Sequence, residues 1–574
     1  MSTEREEGVP AADEKREAEH YTGIERTPGS EKQSFQASPG ETDTPGTIAT
    51  PKEEDPENHY VTGYKLVAIV VALVLASFLM LLDTSIVSTA IPAISDEFQS
   101  LEDVGWYAAA YNLGSAAVQP LTGKIFNVFP LKWSFLVFFF FFEVGSVLCG
   151  AAQTSDMLIV GRAIAGAGAS GLLSGSILIV SSCVPLQKRP PLIGIIQGVA
   201  QLGVVIAPLI GGAFTTGYTW RWSFYINLPI GAVVAFPILF LRIPEQVPKQ
   251  PPWTIASKLH HHLDLVGFAL LAPAVIQLLL ALQYGGNQFA WSSSQVIGLF
   301  VGAGATFIVW AAWNYYRGDN ALLPFSVMKR QVVWASALNY SFQMESLLGS
   351  TYWLPIYFQA VKGVSAILSG VYLLPTVLAQ LLFTVLGGYL VPRVGYVPLF
   401  SIFAGVLISI GSGLFSTFQP DTSTGKWIGY QIIASSGRGA GLQMPIVAVQ
   451  NSVSQQELSQ AMAFLLWAQY IGPTVFLTLY NTIFSTSLRT LLPQQAPNVD
   501  TQAVLAAGAT RFREVVDPRD LSNVLIAYSN SLDRVFYLVT GAGVGGFLAA
   551  WGMGWRDIRR KNRNQPGQPP VAEA

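Results

Sequence analysis

Fourteen apolar runs follow Lys65, and they constrain the fold of this chain more than any other feature. A helix of about 20 apolar residues spans the roughly 30 Å of hydrocarbon in a bilayer. Because the lipid interior holds no water, each run must satisfy its backbone hydrogen bonds internally, as a helix does. The chain is therefore predicted to be an all-α polytopic membrane protein. The predicted spans lie near 65–91, 104–126, 133–153, 157–180, 191–214, 222–242, 264–284, 294–314, 333–357, 365–389, 396–417, 427–449, 460–485 and 534–556.

Composition excludes a large soluble enzyme. Only 12% of the 574 residues are charged and 51% are hydrophobic, whereas soluble domains carry roughly 25% charged residues. The two cysteines, Cys149 and Cys183, rule out a disulfide framework and a cysteine-rich metal site. No nucleotide-binding loop, metal motif or spaced nucleophile–base pair lies outside the spans. We therefore expect no catalytic residues, no metal, no cofactor and no nucleic-acid partner.

The charges outside the spans predict the orientation of the chain. Residues 1–62 are polar and acidic, with a net charge of −9 over residues 1–60, and are expected to form a disordered tail. The loops on the side of the N-terminus, with the C-terminal tail, carry 17 Lys and Arg residues against 8 on the opposite side. Since basic loops stay inside, both termini are predicted to be cytoplasmic. Residues 557–574 are expected to form a basic and then flexible cytoplasmic tail.

A repeat with a nearly constant offset divides the chain. Asp83, followed five residues later by Ser-Thr, recurs 262 residues on as Glu345, again followed by Ser-Thr. The Ala207-Pro208 pair recurs 265 residues on as Gly472-Pro473. The repeat predicts two homologous six-helix halves, whose substrate site would lie between them near mid-membrane. The predicted segments are the N-terminal half at 64–242, a linker with inserted spans 7 and 8 at 243–316, and the C-terminal half at 332–556, which includes a long extracytoplasmic loop near 486–533.

Five ionisable residues fall inside the predicted spans: Asp83, Glu143, Arg162, Glu345 and Arg438. Each would be costly facing lipid, so each is expected to face a partner or a wet cavity. Asp83 and Arg162 are predicted at a similar depth, where they can meet, and Glu345 and Arg438 both fall near mid-span. The functional hypothesis makes these groups proton carriers and their partners, and the alternative makes them static ion pairs. Glu143 lacks an obvious partner, and a locally satisfied polar residue is its alternative interpretation.

Several motifs carry a resemblance to a known family. Residues 82–92 (LDTSIVSTAIP) resemble a first-span motif, and residues 158–166, which include Arg162, resemble a fourth-span motif whose Arg is linked to proton transfer. Residues 220–231 (WRWSFYINLPIG) are the most specific match. Together these motifs resemble the fourteen-span drug:proton antiporters of the major facilitator superfamily, in the style of fungal toxin and secondary-metabolite efflux pumps.

Two further motifs of that family govern conformational change, and this chain matches them with departures. The motif between spans two and three corresponds here to Gly123, Lys124, Asn127 and Lys132. Asn127 stands where the family usually has Asp, which weakens the charge relay implied by the resemblance. The fifth-span antiporter motif corresponds to Gly194, Gly203, Ala207, Pro208, Gly211 and Gly212, with Ala207 in place of a usual Gly.

The resemblance implies a proton-coupled efflux transporter for hydrophobic small molecules that works by alternating access. We expect its partners to be the substrate, protons and the bilayer, and we expect it to be a monomer. Its expected location is the plasma membrane, with a vacuolar or vesicular membrane as the alternative. The residues expected to line the substrate cavity are Gln201, Tyr340, Gln443 and Gln469. Three alternatives stay open: a proton-linked importer of an iron chelate, amino acid or sugar, a non-transporting membrane sensor, and a membrane enzyme.

Overall fold

The computed structural model describes residues 60–98, 103–247, 249, 262–286 and 288–559. Almost all of the two predicted tails, 1–62 and 557–574, lies outside these residues. Within the described residues, helices occupy all fourteen predicted positions. They are α1 (Gly63–Phe98), α2 (Val104–Val128), α3 (Leu131–Gly150), α4 (Ser155–Cys183), α5 (Arg189–Gly217), α6 (Trp222–Phe240), α7 (Leu265–Tyr284), α8 (Ser294–Arg317), α9 (Gln331–Ile356), α10 (Leu374–Val394), α11 (Val397–Phe415), α12 (Thr424–Gly441), α13 (Leu458–Gln495) and α14 (Leu521–Ala550).

Eleven helices of the described chain are long and apolar enough to cross a membrane by themselves. The other three predicted positions, α2, α9 and α12, hold helices with more polar residues. α9 carries Glu345 in its interior, and α12 is only 18 residues long. The helical, membrane-spanning character of the chain is confirmed, and the count of fourteen spans stays a prediction.

Large apolar side chains cover the outside of the bundle. Phe140, Phe236, Ile308 and Leu548 are each more than 60% exposed. A soluble protein does not present so much apolar surface to water, whereas hydrocarbon solvates it. These side chains therefore mark the surface that faces lipid.

The helix contacts repeat between the two halves. In the first half α1 packs on α5, α2 on α4, and α3 on α4. The corresponding pairs of the second half are α9 with α13, α10 with α12, and α11 with α12. The sixth helix of each half, α6 or α14, packs on the first and third helices of its own half. The structure thus confirms the predicted repeat of six helices.

Two seams join the halves, and they correspond under the same repeat. α5 packs against α10 in one seam, and α2 packs against α13 in the other. The inserted helices α7 and α8 pack on each other, and α7 also contacts α2 and α13. The inserted pair therefore lies beside the second seam.

The segment predicted as a long loop, 486–533, is largely helical. α13 continues to Gln495, a separate helix spans Thr501–Val515, and α14 begins at Leu521 rather than at 534. Arg513 of the separate helix donates hydrogen bonds to the carbonyls of Ala360 and Val361 beyond α9. Hydropathy alone did not identify these helical turns, because a helix outside the hydrocarbon needs no continuous apolar run.

Candidate functional site

The centre of the first half holds a fully buried ion pair. Arg162 of α4 lies with Nη1 2.5 Å from Oδ2 of Asp83 on α1, and neither side chain is exposed. Arg162 also donates from Nε to the carbonyl of Tyr107, at 2.9 Å. The predicted meeting of Asp83 and Arg162 is thus seen directly. Charge-assisted hydrogen bonds of this kind offset the cost of removing both ions from water.

Asn227 of α6 completes the coordination of the carboxylate. Its Nδ2 donates to Oδ1 of Asp83 and to Oγ of Ser146 on α3, each at 3.0 Å. Both carboxyl oxygens of Asp83 therefore accept a hydrogen bond. Asn227 lies within the 220–231 motif, so the sequence carried a signal for it, although the motif by itself does not say which of its residues faces Asp83.

The second half arranges its acid and its arginine differently. Arg438 of α12 donates to the hydroxyls of Ser350 and Ser435, at 2.5 and 2.7 Å, and to the carbonyl of Ser346. Glu345 of α9 is fully buried, and neither of its oxygens accepts a hydrogen bond from the described residues. Both residues were predicted near mid-span, and in the structure they form no hydrogen-bonded pair.

Two more acids have buried carboxyl oxygens without a hydrogen-bond partner in the described part of the chain. Both carboxyl oxygens of Glu143 on α3 are buried and make no hydrogen bond, so the interpretation of Glu143 as a locally satisfied residue is wrong. Its Oε1 lies against Gly231 on α6, one turn from Asn227. Asp533 of α14 is also buried, with Oδ1 unpaired. Sequence reasoning missed Asp533 because it started the last span one residue later.

A cavity of about 270 Å³ lies between the halves. Helices α1, α2, α4 and α5 line it from the first half. From the second half α9 and α13 line it, together with Leu442, which directly follows α12. Three of the four predicted cavity residues, Gln201, Tyr340 and Gln469, line it. The prediction also missed Gln197, whose buried amide makes no hydrogen bond to the described residues and which lines the same cavity.

Gln443 is not a cavity residue. It is completely buried in the seam between α5 and α10, where its Nε2 donates to the carbonyl of Thr384 at 3.0 Å. Its amide also lies against Gly194 and Gly388. The prediction placed Gln443 at a suitable depth. In the structure Gln443 lies in a turn after α12 and its side chain points into the seam, because depth does not determine the direction in which a side chain points.

The residues of the loop motif connect the turn between α2 and α3 to α13, to Asn320 and to the end of α6. A side chain at Gly123 would collide with Ala463 and Ser459 of α13. Lys124 donates to the carbonyl of Asn320, and Lys132 donates to the carbonyls of Leu239 and Leu241 at the end of α6. A cation is favourable at that point, since the last carbonyls of a helix are electron-rich and unpaired. These contacts need no carboxylate at position 127.

A short segment after α6 covers the same turn. Glu245 accepts from the backbone N–H of Leu131, and Lys249 donates to the carbonyls of Phe126 and Phe129. Glu245 and Lys249 also pair with each other at 3.4 Å. Burial lowers the pKa of Lys249, and the nearby carboxylate of Glu245 opposes that shift. Asn127 lines a small pocket against this segment.

The fifth-span motif is mostly a set of close helix contacts. A side chain at Gly194 would collide with Gln443 across the seam, and one at Gly203 would collide with the backbone of α1 at Phe78 and Leu82. Gly211 lies against Thr89 and Ile86 of α1, whereas a side chain at Gly212 would meet no atom within 4 Å. Ala207 is fully buried, and Pro208 lies inside α5.

Comparison with known proteins agrees with this geometry. The sequence model that describes the Major Facilitator Superfamily matches residues 73–477 of this chain. The chain is 54% identical over 510 residues to a protein named MFS-type transporter pigP from Monascus ruber, covering 89% of each chain. It is 48% identical over 515 residues to a protein named efflux pump mlcE from Penicillium citrinum, covering 88% of this chain and 93% of the relative.

Solved structures match the fold. The proton:xylose symporter XylE aligns with a TM-score of 0.55 at 15% identity, covering 86% of this chain and 98% of that chain. A bacterial homologue of the human lysosomal transporter Spinster aligns with a TM-score of 0.54 at 16% identity, covering 86% of this chain and 98% of that chain. At these identities the alignments establish the shared architecture alone.

Proposed function

The chain belongs to the major facilitator superfamily, and we propose that it exports neutral hydrophobic small molecules, such as fungal secondary metabolites, in exchange for protons. Membership of this family of transporters supports a transporter rather than an enzyme. Relatives that match nearly its whole length are named as efflux pumps, and their similarity supports the outward direction. The importer, sensor and membrane-enzyme alternatives have no comparable support.

The cavity between the halves is the observation that carries the proposal. Its described lining contains no Asp, Glu, Lys, Arg or His, so an ionised substrate would find no counter-ion there. Most of the lining is apolar, and the amides of Gln197, Gln201 and Gln469 supply a few hydrogen-bonding groups. Apolar walls with a few polar groups that fix orientation are typical of small-molecule sites.

The buried acids are the proposed proton carriers. Asp83 is the primary carrier, because protonation would neutralise the partner of Arg162 and break a buried ion pair. Glu345 is the corresponding acid of the second half, beside Arg438, and its unpaired carboxyl supports a protonated state in the conformation described. Glu143 is proposed as an accessory site, since its unpaired carboxyl lies against Gly231, one helical turn from Asn227, which binds Asp83.

Proton exchange supplies enough free energy for export. A proton driven by about 100 mV and about one pH unit releases roughly 3.7 kcal/mol. At one-to-one exchange this supports a gradient of roughly several-hundred-fold for a neutral substrate. A larger stoichiometry is not required for useful export.

Alternating access would occur at the two seams. Gly123 and Gly194, from the two conformational motifs, each lie at a close contact between the halves and near the predicted cytoplasmic ends of their helices. We propose that separation of these contacts opens the cavity to the cytoplasm. We also propose that the protein works as a monomer in the plasma membrane with both termini cytoplasmic.

The test is transport by the purified full-length chain in proteoliposomes. Tritiated progesterone, a neutral apolar molecule with two hydrogen-bond acceptors, serves as the probe, and a pH gradient is imposed across the membrane. We expect gradient-driven probe movement by the wild type and its loss in D83N. D156N, which changes an exposed acid at the start of α4, is the matched control and should transport like the wild type. Normal proton exchange by D83N would show that Asp83 is not the carrier.

A further inference from the structure

The ion pair and the substrate cavity are separate places in the structure. Neither Asp83 nor Arg162 lines the cavity, although Met80 and Thr84, close to Asp83 on α1, do. Bound substrate therefore cannot compete directly with a proton for Asp83. Exchange of one for the other needs a structural link between the two places, and a side chain that contacts both would provide one.

Tyr111 of α2 meets that requirement. It lines the cavity, and its ring centre lies 4.5 Å from Cζ of Arg162. A guanidinium over an aromatic face at this distance is attracted to the ring, and the attraction is strongest where water is excluded. The residue is only 3% exposed. Its ring thus separates the cavity from the ion pair and touches each.

The surroundings of Tyr111 fix its backbone. The carbonyl of Tyr111 lies against Gly166 on α4, where any larger residue would collide with it. Ser115, one turn further along α2, donates to the carbonyl of Gly166 at 2.8 Å. The hydroxyl of Tyr111 approaches the carbonyl of Met80 on α1 at 3.5 Å. With the backbone held this closely, displacement of the ring must act on its neighbours, and Arg162 is one of them.

The described part of the second half holds its arginine differently. Within the described residues, Arg438 is held by the hydroxyls of Ser350 and Ser435 and has no aromatic ring stacked on it. Thr351 lines the cavity next to Ser350. An aromatic contact between the cavity and an arginine is therefore specific to the half that contains the closed ion pair.

We propose that Tyr111 is a positioning residue that couples occupancy of the cavity to the Asp83–Arg162 pair. This inference rests on the proposed function. Substrate against the cavity side of the ring holds the other side against Arg162 and keeps the guanidinium on Asp83. A proton added to the carboxylate of Asp83 breaks the ion pair and releases Arg162, and the freed ring then moves toward the cavity and weakens substrate binding. No other bond forms or breaks.

Other titratable groups also face Asp83 and must be distinguished from Tyr111. They are Arg162 from α4, Tyr111 from α2, and Glu143 and Cys149 from α3. A general change in the protonation of this region would alter binding in every variant. The coupling role of Tyr111 is separated from such a change by comparing variants that differ only in the ring.

The experiment measures binding of tritiated progesterone to the purified full-length chain by scintillation proximity at pH 6 and pH 8. Couplings between two sites are typically about 5- to 150-fold in affinity. We expect the wild-type Kd to be at least about fivefold weaker at pH 6 than at pH 8. Y111F keeps the ring and should retain this ratio within about twofold, whereas Y111L should bring it close to one.

Matched variants make the result specific. Y340L removes a different tyrosine from the same cavity, so it should weaken binding but retain the pH ratio. Y111M, a second ring deletion with a longer side chain, replaces Y111L if that variant does not yield a monodisperse protein. A wild-type ratio in the ring deletions, together with a ratio near one in D83N, would overturn the role of Tyr111 alone. A wild-type ratio in D83N, or no probe binding by the wild type, would overturn the proposed function and this inference with it.

Discussion

Arg162 Nη1 lies 2.5 Å from Asp83 Oδ2 in a place where neither side chain is exposed. Removing one member of such a pair leaves the other charge buried without a partner. Removing both charges leaves a polar but neutral site. Comparing variants that lack one charge with a variant that lacks both therefore separates the effect of the pair on folding stability from its role in transport.

We predict that R162A loses about 3–5 kcal/mol of unfolding free energy, the usual cost of leaving one partner of a buried pair alone. The double variant D83N/R162Q should recover most of this loss, since it contains no uncompensated charge. The unfolding free energies of the single and double variants are measured by thermal and denaturant unfolding in detergent, with intrinsic fluorescence as the signal. Equal destabilisation of the single and double variants would contradict the prediction.

Glu345 offers the complementary case of an acid without a partner. Because no described group donates to its carboxyl, E345Q removes no hydrogen bond and should unfold like the wild type. If Glu345 carries a proton, the same variant should exchange fewer protons per probe molecule. Simultaneous measurement of probe and proton fluxes in proteoliposomes tests this. An unchanged flux ratio would leave Glu345 as a structural residue.

The adjacent glycines Gly211 and Gly212 form a matched pair within one motif. A methyl group at Gly211 would collide with Thr89 and Ile86 of α1, whereas one at Gly212 meets nothing within 4 Å. G211A should therefore cost about 1–3 kcal/mol, as overpacked sites do, and G212A should be close to neutral. The melting temperatures of the two purified variants test this predicted difference in stability. A larger loss in G212A would show that the contact between α1 and α5 is not as described.

Gln197 and Gln443 are both buried amides, but only Gln197 lines the cavity. Q197A should weaken probe binding without changing the seam between the halves. Q443A should remove the hydrogen bond to Thr384 and alter transport rate more than binding affinity. Binding and transport assays on the same preparations separate the two effects. A stronger binding defect in Q443A than in Q197A would indicate that Gln443 lines the cavity after all.

The ion pair between Arg330 and Glu457, at 2.5 Å, joins the segments that precede α9 and α13. Partial burial raises the pKa of Glu457, but hydrogen bonds from Ser454 and the contact with Arg330 outweigh it, so the pKa is lowered below 4.5. A lowered folded-state pKa contributes stability that is present above pH 4.5 and is lost as the pH falls through the folded value.

We therefore expect E457Q to melt at a lower temperature than the wild type at pH 7, and the difference to shrink as the pH falls below about 4.5. The effect should be small because the pair is partly exposed. E514Q, at an exposed acid on the Thr501–Val515 helix, is the control and should show no such convergence. A difference that stays constant down to pH 3 would exclude a role for the charge of Glu457.

Much of the site could be read from the sequence because charges are rare in apolar spans. Asp83 and Arg162 were predicted at one depth, and they pair. Gln201, Tyr340 and Gln469 were predicted in the cavity, and they line it. The errors have physical causes. Gln443 lies at a suitable depth but points into the seam, and Asp533 belongs to a helix that begins outside the predicted apolar run. Glu143 was interpreted as a satisfied polar residue, but its carboxyl oxygens make no hydrogen bond to the described residues.

By itself the sequence determined the membrane-spanning helices, the repeat of six, and the scarcity of internal charge, because each follows from the cost of placing polar groups in hydrocarbon. The tertiary structure decided which side of each helix faces the cavity, the seam or the lipid. That choice depends on rotation about the helix axis and on packing against neighbours, which no single apolar run encodes. It separates Asp83 from the cavity and places the ring of Tyr111 between them.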